Sequence, residues 1–97
     1  MKLKVGLFEY KVWWNYTQVA FEYGLVRYTS CTIERQGEPS EWHGQARCVP
    51  QDQFSKERGR KLSLTRALLS MSLDKDERRQ FWEAYLGRTK RSLGVSL

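Results

Sequence analysis

Glu41-Trp-His-Gly-Gln-Ala-Arg-Cys48 is the stretch on which the fold turns. In an extended chain Trp42, Gly44, Ala46 and Cys48 fall on one side, and His43, Gln45 and Arg47 on the other. A period of two marks a strand with one buried face. The inward set shrinks from Trp to Gly, Ala and Cys, so a helix can lie close against the sheet there. Pro50 ends the strand because it has no N–H to donate to a ladder. Upstream, Gln36-Gly-Glu-Pro-Ser40 is a turn-forming cluster between two strand-like runs and predicts a hairpin.

Working towards the N-terminus, Val26 to Arg35 is rich in β-branched and aromatic residues, which suit a pleated, half-buried surface. Val19, Phe21 and Tyr23 alternate up to Gly24. Earlier still, Leu3, Val5 and Leu7 alternate, then the phase slips by one and Phe8, Tyr10, Val12 and Trp14 carry the pattern. A slip beside Gly6 predicts a β-bulge.

Towards the C-terminus the period changes from two to that of a helix. Within Asp52 to Met71, Leu64, Ala67, Leu68 and Met71 share one side, while the small residues Ser55, Gly59, Ser63 and Ser70 share another. This first helix is expected to stop between Ser70 and Leu73. Asp74 and Glu77 have the spacing of a capping box and predict the start of a second helix. Its apolar stripe is Phe81, Trp82, Tyr85 and Leu86, and Gly87 is the expected left-handed stop. The expected architecture is an α+β domain: an antiparallel sheet of three to four strands followed by two C-terminal helices packed on one face. One domain is expected over residues 1–91, with a flexible tail over 92–97.

The chain has 97 residues, enough for one core and too few for two. It carries four Trp and five Tyr, the aromatic content of a chain that offsets its ordering entropy by burial. No apolar run approaches the ~20 residues of a membrane span. Glu9 and Lys11 interrupt any signal-peptide apolar core, so the expected location is cytoplasmic. On the same ground the sequon Asn15-Tyr-Thr17 reads as chance. Cys31 and Cys48 are too few for a disulfide scaffold and too far apart for a zinc knuckle, and predict two free, buried thiols.

Charge is unevenly distributed. Residues 1–53 hold six basic and six acidic side chains, whereas residues 54–97 hold eleven and five, so the whole net charge of +6 lies in the second part. Phe54 to Arg66 opens it, with Lys56, Arg58, Arg60, Lys61 and Arg66 against the single acid Glu57. These five are the candidate phosphate-binding residues, because a helix start adds unpaired N–H groups and partial positive charge to the full charges. The plainer reading is a solvated helix whose Gly59 and Ser63 pack on the small residues of the sheet. At 100° per residue the five cations do not form one stripe. Arg88-Thr-Lys-Arg91 is a second basic group, equally explained by the negative end of a helix. Trp13 and Trp14 face opposite sides of a strand, and one of them is a candidate interface anchor or stacking platform.

His43 is the only histidine, and neither Asp52 nor Glu41 stands at a recognised acid–base spacing from it. Neither a catalytic residue, a metal site nor a cofactor is expected, and the chain reads as no enzyme.

Trp42-x-Gly-x-Ala-x-Cys48, Pro50-x-Asp-x-Phe54, Gly59-Arg-Lys-x-x-Leu-x-Arg-Ala-Leu68 and Glu77-Arg-Arg-Gln-Phe-Trp-Glu-Ala-Tyr85 together resemble a group of short bacteriophage-encoded accessory proteins of ill-defined function. The resemblance spans roughly residues 41 to 86 and transfers no functional residue. It implies a phage setting in which proteins of this size act by binding, anti-CRISPR proteins and other inhibitors of host defence among them. The expected function is therefore a non-enzymatic inhibitor of a host antiviral factor, bound through a protein, nucleoprotein, nucleic-acid or nucleotide component in the host cytoplasm. The alternative is a direct nucleic-acid binder holding phosphates at the basic helix start. An edge strand of the sheet is also open to pairing with a second copy.

Overall fold

The computed structural model describes residues 1–92. Four antiparallel strands, β1 (Lys2–Val5), β2 (Phe8–Phe21), β3 (Gly24–Arg35) and β4 (Glu41–Cys48), form one sheet in sequence order. Helices α1 (Lys56–Ser70) and α2 (Lys75–Ser92) follow and cover one face. This is the α+β architecture expected above. Residues 93–97 of the expected tail lie outside the described residues, and Ser92 belongs to α2.

Cross-strand register places Val12, Ile33 and Trp42 side by side, then Trp14, Cys31 and Gly44, then Tyr16, Thr29 and Ala46. These rows face the helices. Val12, Cys31 and Ile33 are fully buried there with Leu64, Leu68 and Phe81. The other face carries Lys11, Trp13, Asn15 and Thr17 beside Glu34, Thr32, Ser30 and Tyr28, and no helix covers it.

α1 lies on β3 and β4 at the small strip. A Cβ on Gly44 would collide with the Ser63 carbonyl oxygen and the Ala67 amide nitrogen, and a Cβ on Gly59 would lie 2.6 Å from Thr29 Oγ1. Both glycines are thus required by close approach, not by backbone angle. Ser63 is fully buried, and its hydroxyl donates 2.7 Å to the Gly59 carbonyl, so the contact carries no unpaired polar group. α2 lies on the same face over β1 and β2: the Phe81 ring sits 5.0 Å from Tyr10, and Tyr85 5.8 Å from Trp14. Arg35 ties the base of the sheet together. Its guanidinium lies over the rings of Phe8 and Trp42 and donates 3.0 Å to the Tyr10 hydroxyl, and this hydrogen bond raises its already high pKa.

Four expectations are corrected. Gly6 is not in a bulge: with Leu7 it makes a two-residue hairpin loop between Val5 and Phe8, and its φ of 62° suits the first turn position of a tight hairpin. Gly87 does not stop α2, which runs through it to Ser92. Leu86 stands at the rim of the α2 stripe and is exposed, whereas Phe81 and Tyr85 are buried. Cys48 is only half-buried, because β4 ends there and the chain turns away from the core. Cys31 is free and fully buried, and burial pushes its thiol up to about 12.

The capping box at α2 is formed in both directions. The Glu77 N–H donates 2.8 Å to Asp74 Oδ1, and the Asp74 N–H donates 3.4 Å to Glu77 Oε1. Asp74→Ala removes the shorter bond from an exposed site without disturbing packing. We expect a loss of about 1 kcal/mol, read by urea denaturation. An unchanged midpoint would show that α2 does not depend on this cap.

Candidate functional site

The sequence between β4 and α1 turns back under Pro50 and leaves a cleft of about 550 Å³ against the start of the helix. Thr29 and Ala46 form part of its base, Asp52, Phe54 and Ser55 one wall, and Arg58, Gly59, Lys61, Leu62 and Thr65 the other. Arg47 reaches it from the end of β4. The volume lies in the range of small-ligand sites. Ser55 is the N-cap of α1: its Oγ accepts from the Arg58 N–H at 3.3 Å, so that of the first-turn amides those of Lys56 and Glu57 are left without an intrahelical partner.

The five cations expected to bind phosphate do not act as one group. Lys56 stands 5.2 Å over the Tyr16 ring, and Arg60 donates 2.6 Å to the Tyr16 hydroxyl while lying over Trp14. These two therefore turn towards β2. Arg66 donates 2.6 Å to the Gln45 carbonyl on the outer edge of β4. Arg58 and Lys61 alone line the cleft, and Lys61 is paired with Glu57 at 3.0 Å. Among the described residues, no ion pair joins Arg58 or Arg47 to an acid.

Arg47, Asp52 and Phe54 had not been singled out as site residues. Arg47 lines the cleft although its position in β4 is an outward one, because β4 is the edge strand and ends in the turn at Pro50. Phe54 is half-buried, and the Arg27 guanidinium lies 4.8 Å over its ring. Asp52 sets a negative group on the loop side, so an anion in the cleft is favoured on the side of Arg47 and Arg58.

Trp14 belongs to the helix face, half-buried, with its ring N–H donating 3.3 Å to the Arg60 carbonyl. Trp13 lies on the uncovered face, half-buried, with Lys11 5.3 Å over its ring. His43 is exposed on that same face, its Nδ1 3.3 Å from Thr32 Oγ1 and its Nε2 3.6 Å from Glu41. Of the second basic group Arg88 is exposed on α2, and the side chains of Lys90 and Arg91 lie outside the described residues. Among the described residues no helix is long and apolar enough to cross a membrane.

Compared with protein-family models, with curated proteins and with solved structures, the chain finds no match.

Proposed function

We propose that this protein is a non-catalytic binding module that holds the phosphates of a nucleic acid or nucleotide in the cleft between β4 and α1. The observation that carries this reading is Arg58 on the wall of the cleft at a helix N-terminus, with Arg47 also among the lining residues and neither joined by an ion pair to an acid among the described residues. Guanidinium forks match phosphate oxygens, and the helix start adds partial positive charge. Phe54 offers an apolar wall to a base or sugar. Following the resemblance to phage accessory proteins, the wider role is to block a host antiviral factor in the cytoplasm by occupying its nucleic-acid or nucleotide component.

The test is a titration of labelled single-stranded and duplex oligonucleotides, and of a mononucleotide, across a salt series. Wild type is expected to bind with an affinity that falls as salt rises. The double variant Arg47→Glu/Arg58→Glu should bind at least about tenfold more weakly, with a salt slope shallower by about two contacts. Both substitutions lie on exposed side chains, so folding is expected to persist. Absence of binding at low salt, or a double variant that binds like wild type, would sink the reading.

A further inference from the structure

We infer that two copies of this chain join through the outer edge of β2 to form one continuous eight-stranded antiparallel sheet. β2 is far longer than its neighbour β1, which pairs only with Phe8 to Lys11. Met1 extends that pairing to Val12, whose N–H donates 2.8 Å to the Met1 carbonyl and whose own carbonyl accepts from the Met1 amino nitrogen. In an antiparallel ladder the residues that point both groups to one side recur every second position. Past Val12 the outward residues are therefore Trp14, Tyr16, Gln18 and Ala20. Among the described residues no hydrogen bond reaches their N–H or C=O groups.

This edge lacks the devices that protect others. Trp13-Trp-Asn-Tyr-Thr-Gln-Val-Ala-Phe21 contains no charge, proline or glycine in a chain of net charge +6. Sheet edges are kept apart by charged residues, proline, bulges or a covering element. The other edge of the sheet has them: β4 carries Glu41 and Arg47, and Arg66 occupies the Gln45 carbonyl.

Several features select a second copy as the occupant. The open edge runs from Trp13 to Phe21, where the strand itself ends in the turn at Glu22 and Tyr23. Two such edges laid antiparallel about Thr17 use every outward group and stop where each hairpin tip meets the partner's β1. In this register Trp14 of one copy faces Ala20 of the other, and Tyr16 faces Gln18, so the largest outward residue meets the smallest. On the uncovered face Trp13 meets Phe21, and Thr17 meets its own symmetry mate.

Charge agrees with this register. Lys2 and Lys11 stand directly opposite each other at the end of β1, an unfavourable like-charge pair. Glu22 is the only charge in the hairpin tip from Gln18 to Gly24, and the same register delivers it beside those two lysines.

Sedimentation equilibrium on the full chain, at concentrations up to about 100 µM, is expected to give twice the 11.5 kDa chain mass. Gln18→Pro deletes an outward N–H that no strand of the same chain uses, and should return the single-chain mass with an unchanged circular dichroism spectrum. Glu22→Lys, on an exposed turn, should raise the dissociation constant about tenfold or more without touching the ladder, which keeps the idea testable should the proline variant fail to fold. Thr17→Cys in a Cys48→Ser background should cross-link across the dyad on mild oxidation, since facing residues of that kind lie within disulfide reach. A single-chain mass throughout the concentration range, or a dimer indifferent to both Gln18→Pro and Glu22→Lys, overturns the inference. A persistent dimer that does not cross-link through Thr17→Cys overturns the register.

Discussion

Gly44→Ala is expected to destabilise the domain by about 3 kcal/mol or more, although it adds a single methyl group. The typical cost of overpacking is ~1–3 kcal/mol, and this site lies at its upper end for a specific reason. The added carbon meets backbone, namely the Ser63 carbonyl, the Ala67 amide and the Arg66 carbonyl carbon at 2.9 Å. A side chain can rotate away from such a contact, but a helix backbone moves only as a whole. Relief requires α1 to rise from β4, which separates Leu64 and Leu68 from the core they fill. For a domain of this size the melting temperature should fall by roughly 12–24 °C, at ~4–8 °C per kcal/mol. Gly87→Ala is the control: nothing stands within 4 Å of a Cβ there, and α2 passes through it, so stability should hold or rise. A Gly44→Ala protein as stable as wild type would mean that helix and sheet are not in contact at this point.

Phe81→Ala is expected to cost about 3–5 kcal/mol, the range for emptying a buried aromatic site. Phe81 is fully buried, shares the core with Tyr10, Leu3 and Val5, and is among the largest side chains to be wholly enclosed. Total stability of small domains is only ~5–15 kcal/mol, so this single truncation should leave the protein near the edge of folding. Its signature differs from that of Gly44→Ala. Losing Phe81 releases α2 from β1 and β2, so the environments of Trp14 and Trp82, which surround Tyr85, change first in tryptophan fluorescence. A loss below about 1 kcal/mol, outside the range for buried aromatics, would show that α2 is not docked through this ring.

How much of this could be read in the chain varies with how the signal is encoded. β4 and its small strip were legible because one face of a strand and one face of a helix both lost their side chains at matching places, and close approach is the only packing that rewards both losses. The capping box was legible because its two residues act locally. Gly6 was misread for a geometrical reason. A two-residue hairpin loop and a one-residue bulge both shift the parity of inward positions by one, so Leu3 and Val5 followed by Phe8 and Tyr10 describe either. Gly87 was misread because glycine adopts left- and right-handed backbone with little bias, and the helix formers around it carry α2 onward.

The candidate site was the least legible part. The five cations around Phe54 to Arg66 form no single stripe on a helix, and which of them reach the cleft depends on which side of α1 meets the sheet. Arg47 and Arg58 line one cleft only through the turn of chain between β4 and α1, across eleven positions of sequence. The edge of β2 had a signal that sequence reading passed over. Apolar positions are even-numbered from Phe8 to Trp14 and odd-numbered from Val19 to Tyr23. That change of phase marks where the strand leaves the shelter of the helices and turns its apolar residues to the uncovered face, where Val19 and Phe21 are each 42% exposed.

The docking of α2 across β1 and β2 also sets the timetable of biosynthesis. The helix that shelters the first hairpin is made well after it, and Phe81 is polymerised 71 residues after its partner Tyr10. At ~5–20 residues per second, that interval lasts roughly 4–14 s. During it Leu3, Tyr10 and Val12 have no lid, so every newly made chain passes through a stage at which its earliest strands are open to chaperones and to neighbouring nascent chains. The wait ends only when α2 has cleared the ribosome and can close over the hairpin.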